Sequence, residues 1–225
     1  MSKDFNHPQI VSSYDQHIRQ LIPGYETMHQ QVKAILNAAM PDHAQILIIG
    51  CGTGHELHEL LNLNHTWHFT AIDVSENMLD QARKNIAPLN ENSRVQFVLG
   101  DASVLAASAK FHSILVLLVA HFIEFTAKLP FFQILNQHCL RQAMLLTYDL
   151  MQMAQPALWQ ALPYLCQSNG LSQKQTDTMM TRLPQDFFLV NEQEYCDILQ
   201  QAGFNETYCF SQALTYQGFI AKNFD

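Results

Sequence analysis

Residues 45–55 read Gln45-Ile46-Leu47-Ile48-Ile49-Gly50-Cys51-Gly52-Thr53-Gly54-His55. A short apolar run is cut off by three glycines at alternate positions. His55–Leu63 then places Leu57, Leu60 and Leu61 at helical spacing. The stretch reads as a buried strand, a tight turn and a helix. Glycine is needed where the chain turns sharply, or where backbone approaches a ligand with no Cβ between them. In an open α/β sheet, ligands sit beyond the carboxyl ends of the strands. Gly50, Cys51, Gly52, Thr53 and Gly54 are therefore the expected cofactor loop.

Spacing narrows the ligand. A dinucleotide fingerprint is G-x-G-x-x-G, and here its sixth position is His55. No G-x-x-x-x-G-K-[ST] phosphate loop occurs anywhere in the chain. The pattern G-x-G-x-G suits a ligand without pyrophosphate, held through an amino-acid tail and a nucleoside.

Outward from the loop, strand and helix patterns alternate. Trp67–Ile72 is aromatic and β-branched. Ser75 is a good N-cap for a helix carrying Met78, Leu79, Ala82 and Ile86. Arg94–Leu99 is a third strand stopped by Gly100-Asp101, and Phe111–Leu118 a fourth, almost wholly apolar. Leu129–Gln137 reads as a helix and Ala143–Tyr148 as the fifth strand. Continuously apolar strands belong to a parallel sheet covered on both faces. The pattern predicts an α/β, doubly wound, mostly parallel seven-stranded sheet with a C-terminal antiparallel hairpin at Glu206–Phe210 and Thr215–Ala221. Helices are expected at His17–Leu21, Tyr25–Met40 and Glu192–Ala202, with two or three helical pieces in 152–190. One domain is expected, divided into a helical cap (1–42), a cofactor-binding half (43–150), a helical insertion (151–190) and a closing helix and hairpin (191–225).

Composition bounds the function. Apolar residues make up 48% of the 225 and charged residues 14%, enough for a sizeable core and against disorder. Twelve Lys and Arg against 20 Asp and Glu leave a formal charge of −8, which disfavours nucleic acid and anionic membranes. No leader pattern is present, and the longest apolar run, Ile114–Ala120, falls far short of the ~20 residues that span a bilayer. The five cysteines are scattered with no CxxC pair, which fits free thiols in a reducing cytoplasm. His55, His58, His65 and His68 lack an H-E-x-x-H arrangement, so they read as surface histidines and no metal is expected.

The ordered set of signals resembles the class I S-adenosylmethionine-dependent methyltransferases, over roughly 43–150 and again at 192–222. The resemblance implies S-adenosyl-L-methionine as cofactor. Gly50–Gly54 matches the first motif. Asp73, ending Thr70-Ala71-Ile72-Asp73, matches the acidic residue on the ribose hydroxyls. Val74 and Met78 match apolar positions flanking the adenine. Gly100-Asp101-Ala102 resembles the adenine-edge motif, with Asp101 accepting from the exocyclic amine. Leu117–His121 falls where the fourth strand ends beside the methyl group, which puts Leu117 on the cofactor and His121 near the acceptor. One departure is Ile48, at the position where family members usually carry Asp or Glu to organise the loop and the cofactor's amino group. A second is Leu140-Arg141-Gln142-Ala143, where the family often has a Gly-Gly turn. Ser13-Tyr14-Asp15 and Ile22-Pro23-Gly24-Tyr25 resemble the cap of small-molecule members and of carboxy-S-adenosylmethionine-linked tRNA uridine enzymes. That cap makes Tyr14 a cofactor residue and Tyr25 a substrate residue.

At the strand ends, His121 and Tyr148 are candidate catalytic residues, and His121 and Asp149 candidate substrate residues. Asp73 and Asp101 also have the ordinary readings of a cap and a turn residue. The expected reaction is in-line methyl transfer to a small-molecule acceptor, with a homodimer compatible. Three alternatives stand beside it: a tRNA-modifying enzyme using S-adenosylmethionine or its carboxylated relative, a binding module without catalysis, and an aminopropyl-type transferase.

Overall fold

The computed structural model describes residues 8–89 and 93–223. Residues 1–7, the start of the stretch read for a leader, lie outside it. Helices α1 (Pro8–Leu21) and α2 (Tyr25–Ala39) precede β1 (Gln45–Ile49). Then follow α3 (His55–Leu63), β2 (His68–Asp73), α4 (Glu76–Ile86), β3 (Val95–Leu99), β4 (Phe111–Leu117), α5 (Phe125–Gln137) and β5 (Cys139–Leu150). Helices α6 (Pro156–Ser168), α7 (Gln173–Asp186) and α8 (Glu192–Gln201) lead to β6 (Glu206–Ala213) and β7 (Tyr216–Lys222).

The seven strands lie in the order β3-β2-β1-β4-β5-β7-β6, with β7 antiparallel to both its neighbours. From β1 the chain steps outward to β2 and β3, then returns to β4 on the other side. This switch point is where an open sheet leaves a crevice at the carboxyl ends of its strands. Alternation fills both faces. Ile46 and Ile48 of β1, Leu115 of β4 and Leu146 of β5 join one core with α2, α3 and the cap. Leu47, Ile49, Val116 and Leu145 join the other with α5 and α8.

Local chemistry explains the element ends. Ser75 Oγ accepts from Met78 N and caps α4. Asn191 and Glu194 form a reciprocal capping box on α8, and Ser172 and Gln175 do the same on α7. Buried Arg94 donates to the carbonyls of Leu61, Asn64 and Trp67, fastening the end of α3 to the start of β2.

Several boundaries differ from expectation. The first helix runs from Pro8 rather than His17, and α5 begins at Phe125 rather than Leu129, with Pro130 inside it. β5 begins at Cys139 rather than Ala143. Its register against β4 slips between Phe111 and Ser113, and Gln142 takes a positive φ of 61°. The stretch 140–143 is accommodated by this irregularity in the strand pairing rather than by a glycine turn. The first hairpin strand runs on to Ala213 rather than Phe210, the second is displaced by one residue to Tyr216–Lys222, and Leu214 at φ 53° makes the tight connection between them. No helix among the described residues is long and apolar enough to cross a membrane.

Candidate functional site

The glycine loop leaves β1 under the end of β2. Gly50 N and Cys51 N both donate to Ile72 O, at 2.8 and 3.0 Å. Gly50 has φ 68°, and a Cβ there would stand 2.5 Å from Val119 Cγ2. At Gly52, φ is 52°, and the nearest atom to a Cβ would be Tyr14 Cε1 at 3.7 Å. The first glycine is thus demanded by packing, and the second by its backbone angle beside an open space.

Asp73 holds this loop. Its Oδ2 accepts from Gly52 N at 2.8 Å and its Oδ1 from Ser75 N at 2.9 Å. Burial pushes its carboxyl above the ordinary value, against the pull of the Ser75, Gly52 and Val74 N–H groups. An ionised carboxylate offers about four acceptor positions, so beyond the Ser75, Gly52 and Val74 N–H groups one remains for a ligand hydroxyl. Ser75, not Asp73, makes the helix cap. Asp101 is exposed and accepts from Ser103 N at 2.8 Å and from Ser103 Oγ, bonds that pull its carboxyl below the ordinary value.

Around these two aspartates the surface is apolar. Val74 is 71% exposed, Leu99 50% and Val104 52%. Leu99 lies beside Asp73 in the β2–β3 register, and a Cβ on Gly100 would touch Val104 at 3.0 Å. Three exposed aliphatic side chains thus stand beside the two carboxylates. Leu99 and Val104 escaped the sequence reading, because exposure of an apolar side chain is not visible in the chain. Met78 and Ala102 are buried beneath this surface.

A small cavity of about 40 Å³ opens beside the loop, lined by Gly50–Thr53, Leu117, Tyr14, Tyr25, His55 and Glu56. Several contacts tie the cap to the loop here. The Thr53 hydroxyl donates to Asp15 Oδ1. The Tyr25 ring stacks on His55 at 5.5 Å, and Arg19 reaches His55 Nδ1 at 3.3 Å. His55 is therefore no plain surface histidine, whereas His58 is exposed. Burial pushes the Cys51 thiol well above the ordinary value, so it stays protonated and packs. Among the described residues, no group of three or more His, Cys, Asp or Glu is arranged to hold a metal ion.

Tyr14 and Leu118 line both this cavity and a second one of about 340 Å³. Leu118, just past β4, has φ 61°, and its N–H donates to Tyr148 O at 2.7 Å. A non-glycine residue held at positive φ is strained, and here the strain sits between the two cavities. The large cavity is enclosed by α1 (Ile18, Leu21) and α7 (Met179, Leu183), with Phe122 and Phe187 at its base. Its size suits a small organic ligand.

His121 enters this cavity from the turn after β4. Its ring lies 4.4 Å from Phe122 and 4.8 Å from Phe187. Its Nδ1 is 2.7 Å from Asp149 Oδ1, and its backbone N–H donates to the same oxygen at 3.2 Å. Thr147 Oγ1 and Tyr195 Oη each lie 3.1 Å from Asp149 Oδ2 and 2.6 Å from one another. Burial and the neighbouring Asp149 push the Tyr195 phenol far up, which keeps it a donor. Buried Asp149 thus has a donor at each of its acceptor positions. It fixes the His121 ring with Nδ1–H toward the carboxylate, and Nε2 has no hydrogen-bond partner among the described residues. The reading of Asp149 as a substrate residue is corrected here: it is buried behind His121 and lines neither cavity. Tyr148 is corrected likewise. It is fully buried, stacks on Tyr216 at 6.0 Å and donates to Pro23 O at 3.3 Å. Side chains alternate along β5, so Tyr148 and Asp149 face opposite sides of the sheet.

The family model described as a methyltransferase domain matches residues 47–145. Demethylmenaquinone methyltransferase of Leptospira interrogans is 40% identical over 63 residues, 28% of this chain and 25% of that protein. Carboxy-S-adenosyl-L-methionine synthase of Campylobacter curvus is 28% identical over 92 residues, 41% of this chain and 38% of that protein. The matches thus reach less than half the length of either curated relative. Among solved structures, an O-methyltransferase candidate from Nostoc punctiforme superposes with a TM-score of 0.70 at 12% identity, covering 96% of this chain and 59% of that one. At that identity the likeness is one of fold.

Proposed function

We propose, from the match of residues 47–145 to a methyltransferase-domain model, that the protein transfers a methyl group from S-adenosyl-L-methionine to a small, largely apolar acceptor deprotonated by His121. The observation that carries this reading is the His121–Asp149 pair at the wall of the large cavity, 2.7 Å between Nδ1 and Oδ1. When bound, the cofactor supplies a methyl group already made electrophilic by its sulfonium. Beyond removal of the acceptor's proton, the chain's task is positioning, which is worth roughly 7–11 kcal/mol when two reactants are held in line.

The residues fit that cofactor. Gly52 lines the small cavity with no side chain of its own, so an amino-acid tail there meets backbone directly. Asp73 keeps an acceptor position for a ribose hydroxyl, and Val74, Leu99 and Val104 offer a face for adenine beside Asp101. Tyr14 and Leu118 separate the cofactor side from the acceptor side and mark where the two meet. His121 Nε2 takes the acceptor's proton, and Asp149 stabilises the resulting imidazolium. A largely apolar cavity closed over by α1 and α7 fits a small molecule better than an RNA strand.

The test is a screen of phenols, amines and thiols with labelled S-adenosylmethionine, reading methylated product by mass. Turnover of a ring-sized hydroxylated acceptor, lost in His121→Gln, supports the proposal. An equally active His121→Gln enzyme places the base elsewhere.

A further inference from the structure

Resting on that cofactor reading, we propose that Glu56 receives the cofactor's α-ammonium group, a task for which Ile48 has no carboxylate. Ile48 is 1% exposed and packs within the sheet between Ala71 and Leu115, so it neither reaches the ligand nor shapes the loop by charge.

The carboxylate's usual work is divided here. Loop organisation passes to Asp73 through Gly52 N, to Ile72 O through Gly50 N and Cys51 N, and to Asp15 through the Thr53 hydroxyl. None of these leaves a carboxylate devoted to a cation. Glu56 does. It lines the small cavity beside Gly50, Gly52 and Tyr14, one residue into α3. Among the described residues it makes no ion pair, and its charged neighbours are Asp15 and Asp73, both acidic. The N-terminal turn of a helix favours a carboxylate. Even so, burial, with Asp15 and Asp73 adding to it, pushes the Glu56 carboxyl up to about 7. A half-buried carboxyl with only like charges beside it lacks a cation, and an ammonium group of a ligand in this cavity is the complementary partner. Arg19, the nearby cation of the cap, is engaged by Glu26 and His55 instead.

Two probes isolate the ammonium. S-adenosylhomocysteine carries it without the sulfonium charge, and 5′-methylthioadenosine keeps the nucleoside and thioether without the amino-acid end. Calorimetry on the full chain should find that Glu56→Gln weakens S-adenosylhomocysteine about 10- to 100-fold. The same variant should change 5′-methylthioadenosine less than twofold, and Glu56→Asp should fall between wild type and Gln. A Glu56→Gln protein that binds both probes as the wild type does, or that loses both equally, overturns the role of Glu56 and leaves the cofactor reading standing. A wild-type protein that binds neither probe overturns both. Unchanged far-ultraviolet circular dichroism and melting temperature in Glu56→Gln show that any selective loss is not unfolding.

Discussion

His121 Nδ1 and Asp149 Oδ1 meet at 2.7 Å across 28 residues of sequence, joining the turn after β4 to the end of β5. Asp149 also takes the His121 backbone N–H, so one carboxylate orients both the ring and the turn that carries it. Asp149→Asn puts an amide where the carboxylate was and removes the charge that stabilises an imidazolium. With the acceptor that the screen identifies, kcat should fall by about 10²- to 10⁴-fold. Affinity for S-adenosylhomocysteine should hold within about twofold, because Asp149 lies away from the glycine loop. Steady-state kinetics and calorimetry on the same preparation check both halves, and an unaltered kcat removes the dyad from the mechanism.

Gly50→Ala meets two penalties. The backbone stays at φ 68°, and the new methyl falls 2.5 Å from Val119 Cγ2. Strain of about 1–2 kcal/mol and overpacking of about 1–3 kcal/mol should add to a loss near 2–5 kcal/mol in urea unfolding. Adding Val119→Ala should recover part of the overpacking and none of the backbone strain. A double variant as unstable as the single one would show that the contact with Val119 is not limiting.

Asp73→Ala frees the Gly52 and Ser75 N–H groups and removes the proposed ribose acceptor. Each hydrogen bond to a charged group is worth about 1.5–3 kcal/mol. S-adenosylhomocysteine affinity should therefore drop at least tenfold. Unlike Glu56→Gln, this variant should lose 5′-methylthioadenosine as well, since both probes carry the ribose. Calorimetry with the two probes separates the two carboxylates.

Lys128 is buried in α5, and its Nζ donates to Ala120 O, the carbonyl just before His121. Burial lowers its ammonium to about 8, with the charge of Asp149 resisting. Between about pH 8 and the ordinary lysine value of 10.5, the unfolded chain holds this proton more firmly than the folded one. Stability therefore rises with pH through that window, and below about 8 the desolvation cost is fully present. The difference in unfolding free energy between wild type and Lys128→Met should shift in favour of wild type from pH 7 to pH 10.5. A pH-independent difference in urea melts at pH 7, 9 and 10.5 would show that Lys128 does not titrate in the fold.

Much of the architecture was legible because periodicity is local. Ile46–Ile49 and Ile114–Leu117 are apolar at every position, which only a strand covered on both faces needs, and each side chain indeed joins the core on its own side. Gly50, Gly52 and Gly54 mark the turn after β1, and Asp73 the end of the next strand, because such turns demand particular residues within a few positions. Even α4 could be started correctly, since Ser75 caps it from the adjacent residue. The bulge at Gln142 was not legible, because it depends on the register between β4 and β5 rather than on any turn residue.

The active groups were decided elsewhere. His121 and Asp149 both stand at strand ends, yet no pattern in the chain couples them, or separates Asp149 from its neighbour Tyr148. That distinction needs the register of β5 against β4 and β7, which turns one side chain to the dyad and the other into the core. Glu56 looks like any first-turn glutamate until α1 and α2 close over it and leave it among Asp15 and Asp73. The sequence by itself determined the mostly parallel seven-stranded sheet, its closing hairpin and the glycine loop, since these follow from spacing along the chain. The tertiary structure alone decided which carboxylates are buried, which are paired and which face a cavity, because burial and charge are set by residues far apart in sequence.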